Sequence, residues 1–363
     1  DGSKHFVKNI LLSFNKTLHS CDPKIVTKQE LTRLFNEEFF SNGNKYELIG
    51  KNITIFSIGK SSHSMIEGFI DFIGPNEKVT ALVTSPNIHR FKPKHNYKYY
   101  SFKGGHPHVN MESIRAGKKA HDLAKLTGKD GVVICLISGG GSATFDFLQS
   151  SFSIEESIKM STTMLNLGME DHEINIFRKI ISMVKGGKLA QTIYPSPILN
   201  LIISDDVGND IKAIASGPTV KVGPLFEYAK ELIKKWNLYN HFPKSITRKI
   251  DKEIAKQADS QGVKSYPQIK TNIILDSRIF ISKLINQIKN DNKNIHIFMY
   301  KMLLRKSVKE CSSELADYIL QMENKNGEPK CIIGGGEIPV KARKNGKGGR
   351  NQHFSIEMLR QLK

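Results

Sequence analysis

Short apolar runs rich in β-branched residues recur along this chain, and each stops on glycines or a polar turn. The clearest is Val132-Val133-Ile134-Cys135-Leu136-Ile137, which runs into Ser138-Gly139-Gly140-Gly141-Ser142. A short run of this kind bounded by glycines predicts a buried strand. Asn52 to Ile58 alternates like a strand and leads into Gly59-Lys60-Ser61-Ser62. Met65, Ile66, Phe69 and Ile73 then recur at helical spacing. Ile198 to Ser204 predicts a third strand, followed by Asp205-Asp206-Val207-Gly208-Asn209-Asp210 and closed by the turn residues Ala215 to Thr219. Lys330 to Ile333 predicts a fourth, running into Gly334-Gly335-Gly336-Glu337. After it, Lys347-Gly348-Gly349-Arg350-Asn351-Gln352 precedes a helical pattern at Phe354, Ile356 and Leu359.

Thr27-Lys28-Gln29-Glu30 and Ser153-Ile154-Glu155-Glu156 both fit a capping box, which predicts helices starting there. Gly168 is the expected residue just past the end of the second. Thr271 to Leu275 and Asn294 to Tyr300 read as strands, and Ser307 to Met322 as a helix. Asn42-Gly43-Asn44 and the lysine- and asparagine-rich stretches 92–98 and 287–294 read as solvated loops. Strands alternating with helices predict an α/β fold with a mostly parallel, Rossmann-like sheet covered on both faces. The polar stretch around Asp259 to Ser265 is the expected boundary. It divides an N-terminal α/β domain over 1–262 from a smaller α/β domain over 263–363.

Composition changes this picture little. A chain of 363 residues suits two domains, and 39% hydrophobic residues suffice for real cores. No uninterrupted apolar stretch approaches the roughly 18 residues of a membrane span, so no membrane partner is expected. The four cysteines form no Cys-x-x-Cys pair. Cys135 and Cys331 sit in strand patterns as expected buried thiols, a reducing compartment follows, and a structural zinc is not expected. A cytoplasmic location is expected. A mitochondrial one is left open, because the chain opens with Asp1 rather than Met. The net charge of +19 raises nucleic-acid binding as a hypothesis. The basic residues are scattered, however, and no aromatics interleave with arginines as stacking platforms. A solvated surface is the preferred reading, with no nucleic-acid partner.

The candidate chemistry lies at the four junctions. Gly59-Lys60-Ser61 lacks the upstream glycine of a P-loop, since Thr54 stands there, and is not one. A lysine at a helix N-terminus still favours an anion, as do the backbone N–H groups of a glycine loop. Asp205 and Asp210 can serve as oxygen ligands for Mg²⁺ or as turn-forming residues. Arg350 on a glycine turn can present its fork to phosphate or carboxylate. His106, beside Pro107 and His108, reads as a substrate-side or loop-shaping residue. Arg178 and Lys185, seven apart, share a face if one helix carries both. With Glu173 and Asn175 at or near the same helix, they form either a core-facing salt bridge to the carboxylate or a basic wall for a substrate carboxylate.

The order of these motifs resembles the class II glycerate kinases, with their N-terminal glycerate-kinase domain and C-terminal MOFRL domain. The matching segments include Ile58-Gly59-Lys60, Gly104-Gly105-His106-Pro107, Ile137 to Ala143, Ile174-Asn175 with Arg178-Lys179, Lys185 to Ala190, Ile203 to Asp210, Ile214 to Thr219, Gly335-Gly336-Glu337 and Gly346 to Gln352. The resemblance implies ATP- and Mg²⁺-dependent phosphorylation of D-glycerate, usually to 2-phosphoglycerate. It implies Lys60, Arg350 and Asp205 as catalytic residues and Asp205 with Asp210 at the metal. The nucleotide side would be Ser138, Gly139, Gly140, Gly141 and Ser142 with Gly335, Gly336, Glu337 and Asn351. The substrate side would be His106, Arg178 and Lys185. This sequence departs from the family pattern at Val109 and Asn110, at Asn209 where the family has Asp, at Asp206 where Val is common, and at His353 where Glu is usual. Those departures keep a catalytically silent relative open as the alternative, alongside a kinase that gives 3-phosphoglycerate. A nicotinamide-dependent dehydrogenase lacks its Gly-x-Gly-x-x-Gly after a strand. The resemblance also implies more chain beyond Lys363, including an acidic glycine-rich segment. The C-terminal domain is therefore expected to be incomplete, and residues 1–363 alone to be weakly active and prone to associate; a homodimer is left open.

Overall fold

The computed structural model describes residues 2–36, 48, 51–75, 77–88, 97–206, 208–221, 223, 225–259, 266–292, 295–300, 303–304, 306–322, 329–340 and 346–362. They form two compact units. Asp22–Leu275 makes one; Asp1–Cys21 joins Asp276–Lys363 in the other. The expected boundary at 259–265 falls largely outside the described residues.

In chain order, α1 (Gly2–Ser20) is followed by α2 (Pro23–Asn36), β1 (Asn52–Ile58), α3 (Ser62–Ile70), β2 (Lys78–Ser85), β3 (Lys98–Lys103), α4 (Met111–Leu126) and β4 (Gly131–Ser138). Next come α5 (Gly141–Thr144), α6 (Ile154–Asn166), α7 (Asp171–Ile181), α8 (Lys188–Ile193) and β5 (Ile198–Ile203). A 3₁₀ turn at Ile214–Ser216 leads to α9 (Leu225–Lys235), α10 (Lys244–Asp259) and β6 (Ile269–Leu275). The remainder is α11 (Ser277–Asp291), β7 (His296–Met299), β8 (Leu303–Leu304), α12 (Val308–Gln321), β9 (Lys330–Ile333), β10 (Gly336–Glu337) and α13 (Arg350–Gln361).

The larger unit is built on one six-stranded sheet in the order β3-β2-β1-β4-β5-β6, with every neighbouring pair parallel. Alternation along β4 explains its two faces. Val133, Cys135 and Ile137 join α4 and α8 in one core; Val132, Ile134 and Leu136 join α2 and α3 in the other. β1 is central, so beyond the exposed Asn52 its polar residues Thr54 and Ser57 are also buried. Ser57 donates to the Ser62 carbonyl at 2.7 Å instead of facing solvent. β6, which includes the strand expected at Thr271–Leu275, pairs with β5 and completes this sheet. A third core of α6, α7, α9 and α10 packs around Phe177, Ile180 and Ile250.

The Ser153 box caps α6 reciprocally with Glu156, and Gly168 follows the helix end at φ +83°. The Thr27 box does not start a helix. α2 begins one turn earlier, at Pro23, where the missing N–H costs nothing. The Asp22 carboxylate accepts from the Lys24 N–H at 2.8 Å, and Thr27 is buried inside the helix. Residues 287–291 are helical rather than loop, because Ile288 is a core residue of α11. Tyr97 is buried and Lys98 opens β3; residues 42–44 and 92–96 lie outside the described set.

In the smaller unit, β7 pairs with β9 and β8 with β10, both parallel. Ile10 of α1 packs with Ile281, Leu284 and Ile288 of α11. Cys331 is only half-buried, whereas burial drives the Cys135 thiol far above its ordinary range; all four cysteines are free. Hydrogen bonds from Gln287, Lys16 and Ser13 hold Asp291 down at about 2, from an ordinary value of 3.8. A depressed carboxylate stabilises fully above its unfolded value and loses that contribution as pH falls toward its folded one. Wild type should therefore exceed Asp291→Asn in urea midpoint at pH 5, the gap closing between about pH 4 and about pH 2. A gap constant across that window would show that Asp291 contributes no charge-dependent stability.

Candidate active site

The strand order 3-2-1-4-5-6 reverses direction between β1 and β4. Open α/β sheets bind ligands beyond the carboxyl ends of the strands at such a switch point. β1 ends there on Gly59-Lys60 and β4 on the glycine loop. Buried hydroxyls brace the junction. Ser138 Oγ accepts from the Ser61 N–H at 3.0 Å and donates to the Ile58 carbonyl at 3.3 Å. Thr84 Oγ1 donates to the Thr144 carbonyl at 2.6 Å, and the Lys60 N–H to the Gly139 carbonyl at 2.9 Å. The Ser138 hydroxyl thus ties two strand ends together.

The glycines are required by crowding. A Cβ on Gly139 would lie 1.8 Å from Asp205 Oδ2; one on Gly140, where φ is +81°, would lie 3.1 Å from Lys60 Cε and His106 Cδ2. Lys60, Asp205 and His106 therefore converge on Gly139-Gly140. Lys60 Nζ is 3.8 Å from Asp205 Oδ2, and both side chains remain more than half exposed. Burial and the neighbouring Lys60 ammonium push His106 below the ordinary histidine value, against the opposing pull of Asp205. Gly141, with Ser142, opens the single-turn α5 against Ala215.

Asp206 and Asp210 take the turn-forming role. The Asp210 N–H donates to Asp206 Oδ2 at 2.9 Å and the Lys212 N–H to Asp210 Oδ1 at 2.9 Å. Among the described residues no cluster of three or more His, Cys, Asp or Glu side chains could hold a metal. Mg²⁺ bound through one or two carboxylates, water and phosphate oxygens needs no such cluster, and the exposed Asp205 carboxylate suits that mode. Asn110, where the family has an acid, caps α4 through the Ser113 N–H at 2.8 Å.

Arg178 and Lys185 do not share a helix. α7 ends at Ile181, with Lys188 donating to the carbonyls of Lys179, Ile180 and Ser182 beyond it. Both residues nonetheless line one narrow cleft, with Pro107, His108, Ser142 and Ser161. Arg178 donates to Asn175 Oδ1 at 3.4 Å, and burial lowers its pKa below the ordinary arginine value. Lys185 is 1% exposed and ion-paired with Asp146. Ser216, at φ +60° on a left-handed stretch with Ala215, donates to Asn175 Oδ1 at 3.1 Å and lies 2.9 Å from Ser142 Oγ. Asn175 and Ser216 fall within the matched segments but carry no expected site role, and Asp146 is not singled out by the sequence at all.

In the smaller unit, Arg350 and Asn351 open α13, and Arg350 Nη1 pairs with Glu337 Oε1 of β10, after Gly335-Gly336. A groove there is lined by Ser307, Lys309, Lys347, Arg350 and His353.

A family model described as a domain of unknown function, DUF4147, matches residues 9–251. The chain belongs to this family, which forms the N-terminal domain of the glycerate kinases. It is 27% identical over 336 residues to a "Glycerate 2-kinase" of Pyrococcus horikoshii, covering 91% of this chain and 74% of that protein. A "Glycerate 2-kinase" of Picrophilus torridus is 28% identical over 353 residues, covering 97% and 78%. The crystal structure of a glycerate kinase from Thermotoga maritima superposes with TM-score 0.80 at 23% identity, covering 99% of this chain and 80% of that one. A Pyrococcus horikoshii protein superposes at 0.74 with 25% identity, covering 98% and 80%. No helix of the described residues is long and apolar enough to cross a membrane.

Proposed function

We propose that this chain transfers the γ-phosphoryl group of ATP to D-glycerate, with 2-phosphoglycerate as product. The observation carrying this reading is the convergence of Lys60, Asp205 and the glycine loop at the switch point of the sheet. Kinship with glycerate 2-kinases supports the substrate. Phosphoryl transfer relies on positioning and charge neutralisation, and these residue types supply both.

Bound Mg·ATP would supply the phosphoryl group and part of the charge neutralisation. Backbone N–H groups of Gly139 to Ser142 and the Lys60 ammonium would bind phosphate oxygens. Asp205 would hold Mg²⁺, with Asp210 able to join it only through Oδ2, since its Oδ1 accepts from the Lys212 N–H, and Asp205 is also the candidate to take the substrate's hydroxyl proton. As the resemblance implies, Arg350 with Gly335, Gly336, Glu337 and Asn351 would bind the nucleotide, the guanidinium neutralising phosphate charge. Arg178 and His106 would bind the glycerate carboxylate and hydroxyls. The glycerate oxygen bonds to the γ-phosphorus as the bond to the β–γ bridging oxygen breaks and ADP leaves.

The replacement of a family carboxylate by Asn209, at φ +55°, favours one second reading: a silent relative that binds these ligands without turnover. Phosphorus NMR of the protein incubated with ATP, Mg²⁺ and D-glycerate separates the outcomes. A 2-phosphoglycerate resonance is expected. A 3-phosphoglycerate resonance would overturn the regiochemistry, and neither resonance would favour the silent relative.

A further inference from the structure

We propose that Asp146 and Lys185 form a positioning pair that holds the glycine loop in its anion-binding shape, with Lys185 acting through the loop and not on substrate. The kinetic part of this proposal rests on the kinase reading; the structural part does not.

The loop cannot hold itself. It carries three consecutive glycines, whose backbone entropy is large, and ends in a helix of a single turn, too short to persist alone. Its carbonyls are tied from outside at three points. The Lys60 N–H takes Gly139 and Thr84 Oγ1 takes Thr144, both neutral donors. The middle tie is charged: Lys185 Nζ donates to the Ser142 carbonyl at 2.8 Å, and a charged donor makes the stronger bond.

Asp146 makes this tie a junction. Its Oδ2 pairs with Lys185 Nζ and its Oδ1 accepts from Ser182 Oγ at 2.6 Å. Its N–H donates to the Ser113 carbonyl at 3.1 Å, and Ser113 Oγ accepts from the Gly105 N–H at 2.9 Å, beside His106. Ser182 Oγ in turn accepts from the N–H groups of Val184 and Lys185, at 3.2 Å each. The buried pair thus connects the glycine loop with the turn after α7, while the Asp146 backbone meets Ser113, which holds the turn carrying His106.

Desolvating two charges is expensive, and apolar residues of equal volume are often as stable; the best-attested use of such a pair is to set register. Lys185 is 1% exposed and Asp146 4%, with the ammonium committed to the carboxylate and the Ser142 carbonyl. A lysine so engaged is poorly placed to meet an incoming carboxylate, whereas Arg178 in the same cleft is partly exposed.

The test compares Lys185→Met, Lys185→Gln and Asp146→Asn. Gln keeps a donor for the Ser142 carbonyl and Met does not. Asn keeps the shape and the acceptor for Ser182, so it serves if the lysine variants fail to fold. Amide hydrogen exchange of the peptide spanning 138–146 is read without any ligand. Exchange should quicken at least tenfold in Lys185→Met and Asp146→Asn and be substantially restored in Lys185→Gln. Turnover should follow the same order through kcat, with the KM for D-glycerate changed less than threefold. A large rise in glycerate KM with unchanged loop exchange would make Lys185 a substrate ligand and overturn the proposal. A lowered melting temperature with loop exchange unchanged would reduce the pair to ordinary stabilisation and overturn it equally. Faster exchange in a protein that turns over no glycerate would sustain the positioning pair and sink only the kinase reading.

Discussion

Replacing Lys60 with Ala is expected to lower kcat/KM for ATP by at least about a hundredfold, because it removes a preorganised charge facing the transferring phosphoryl group. The fold should barely register the change. The Lys60 side chain is 52% exposed, and its ion pair among the described residues, 3.8 Å from a similarly exposed Asp205, is of a kind worth little to stability. Unfolding free energy should stay within about 0.5 kcal/mol of wild type. Arg350→Ala should lose a similar factor by removing a second charge proposed to face phosphate, again with little effect on stability because its side chain is 44% exposed. Paired rate and melting measurements decide the matter. A Lys60→Ala protein that melts far earlier yet turns over normally would make Lys60 structural.

Gly139→Ala should be nearly as damaging to turnover, by a different route. The added methyl would meet the Asp205 carboxylate at 1.8 Å. That carboxylate is the exposed end of a side chain and can swing away, so the fold survives while the proposed metal ligand and base is displaced. A loss of about a hundredfold in kcat is expected with a melting temperature close to wild type. Gly59→Ala provides the contrast. Its φ is +113°, and its Cβ would meet the Ser138 and Gly139 carbonyls at 2.4 and 2.8 Å. Backbone cannot step aside as a side chain can, so that variant should be destabilised by about 3 kcal/mol or more. If Gly139→Ala kept full activity, the Asp205 carboxylate would have no part in the chemistry.

The sheet was largely legible because its central strands are apolar on both faces and end on glycine. β1 and β9 begin and end where the pattern put them, β4 is one residue longer at each end, and β5 is one residue shorter. β2 and β3 were passed over. Lys78-Val79-Thr80-Ala81-Leu82-Val83 carries no terminal glycine, and β3 is an edge strand with exposed lysines at both ends. The misplaced start of α2 shows the limit of capping boxes. Thr-x-x-Glu occurs equally inside a helix, and Asp22 before Pro23 was the stronger start signal. At the site, charged and glycine residues beside strand ends could be read locally. Asp146 could not, because its role depends on Lys185, a partner 39 residues away on a separate turn.

Glycerate-dependent release of ADP is the measurement that tests the central claim most directly. The protein is assayed with ATP and Mg²⁺, with and without D-glycerate, beside Lys60→Ala. Wild type should release ADP only when D-glycerate is present, and Lys60→Ala should release almost none. ATP consumption indifferent to D-glycerate, or none at all from a folded protein that binds ATP, would contradict the account.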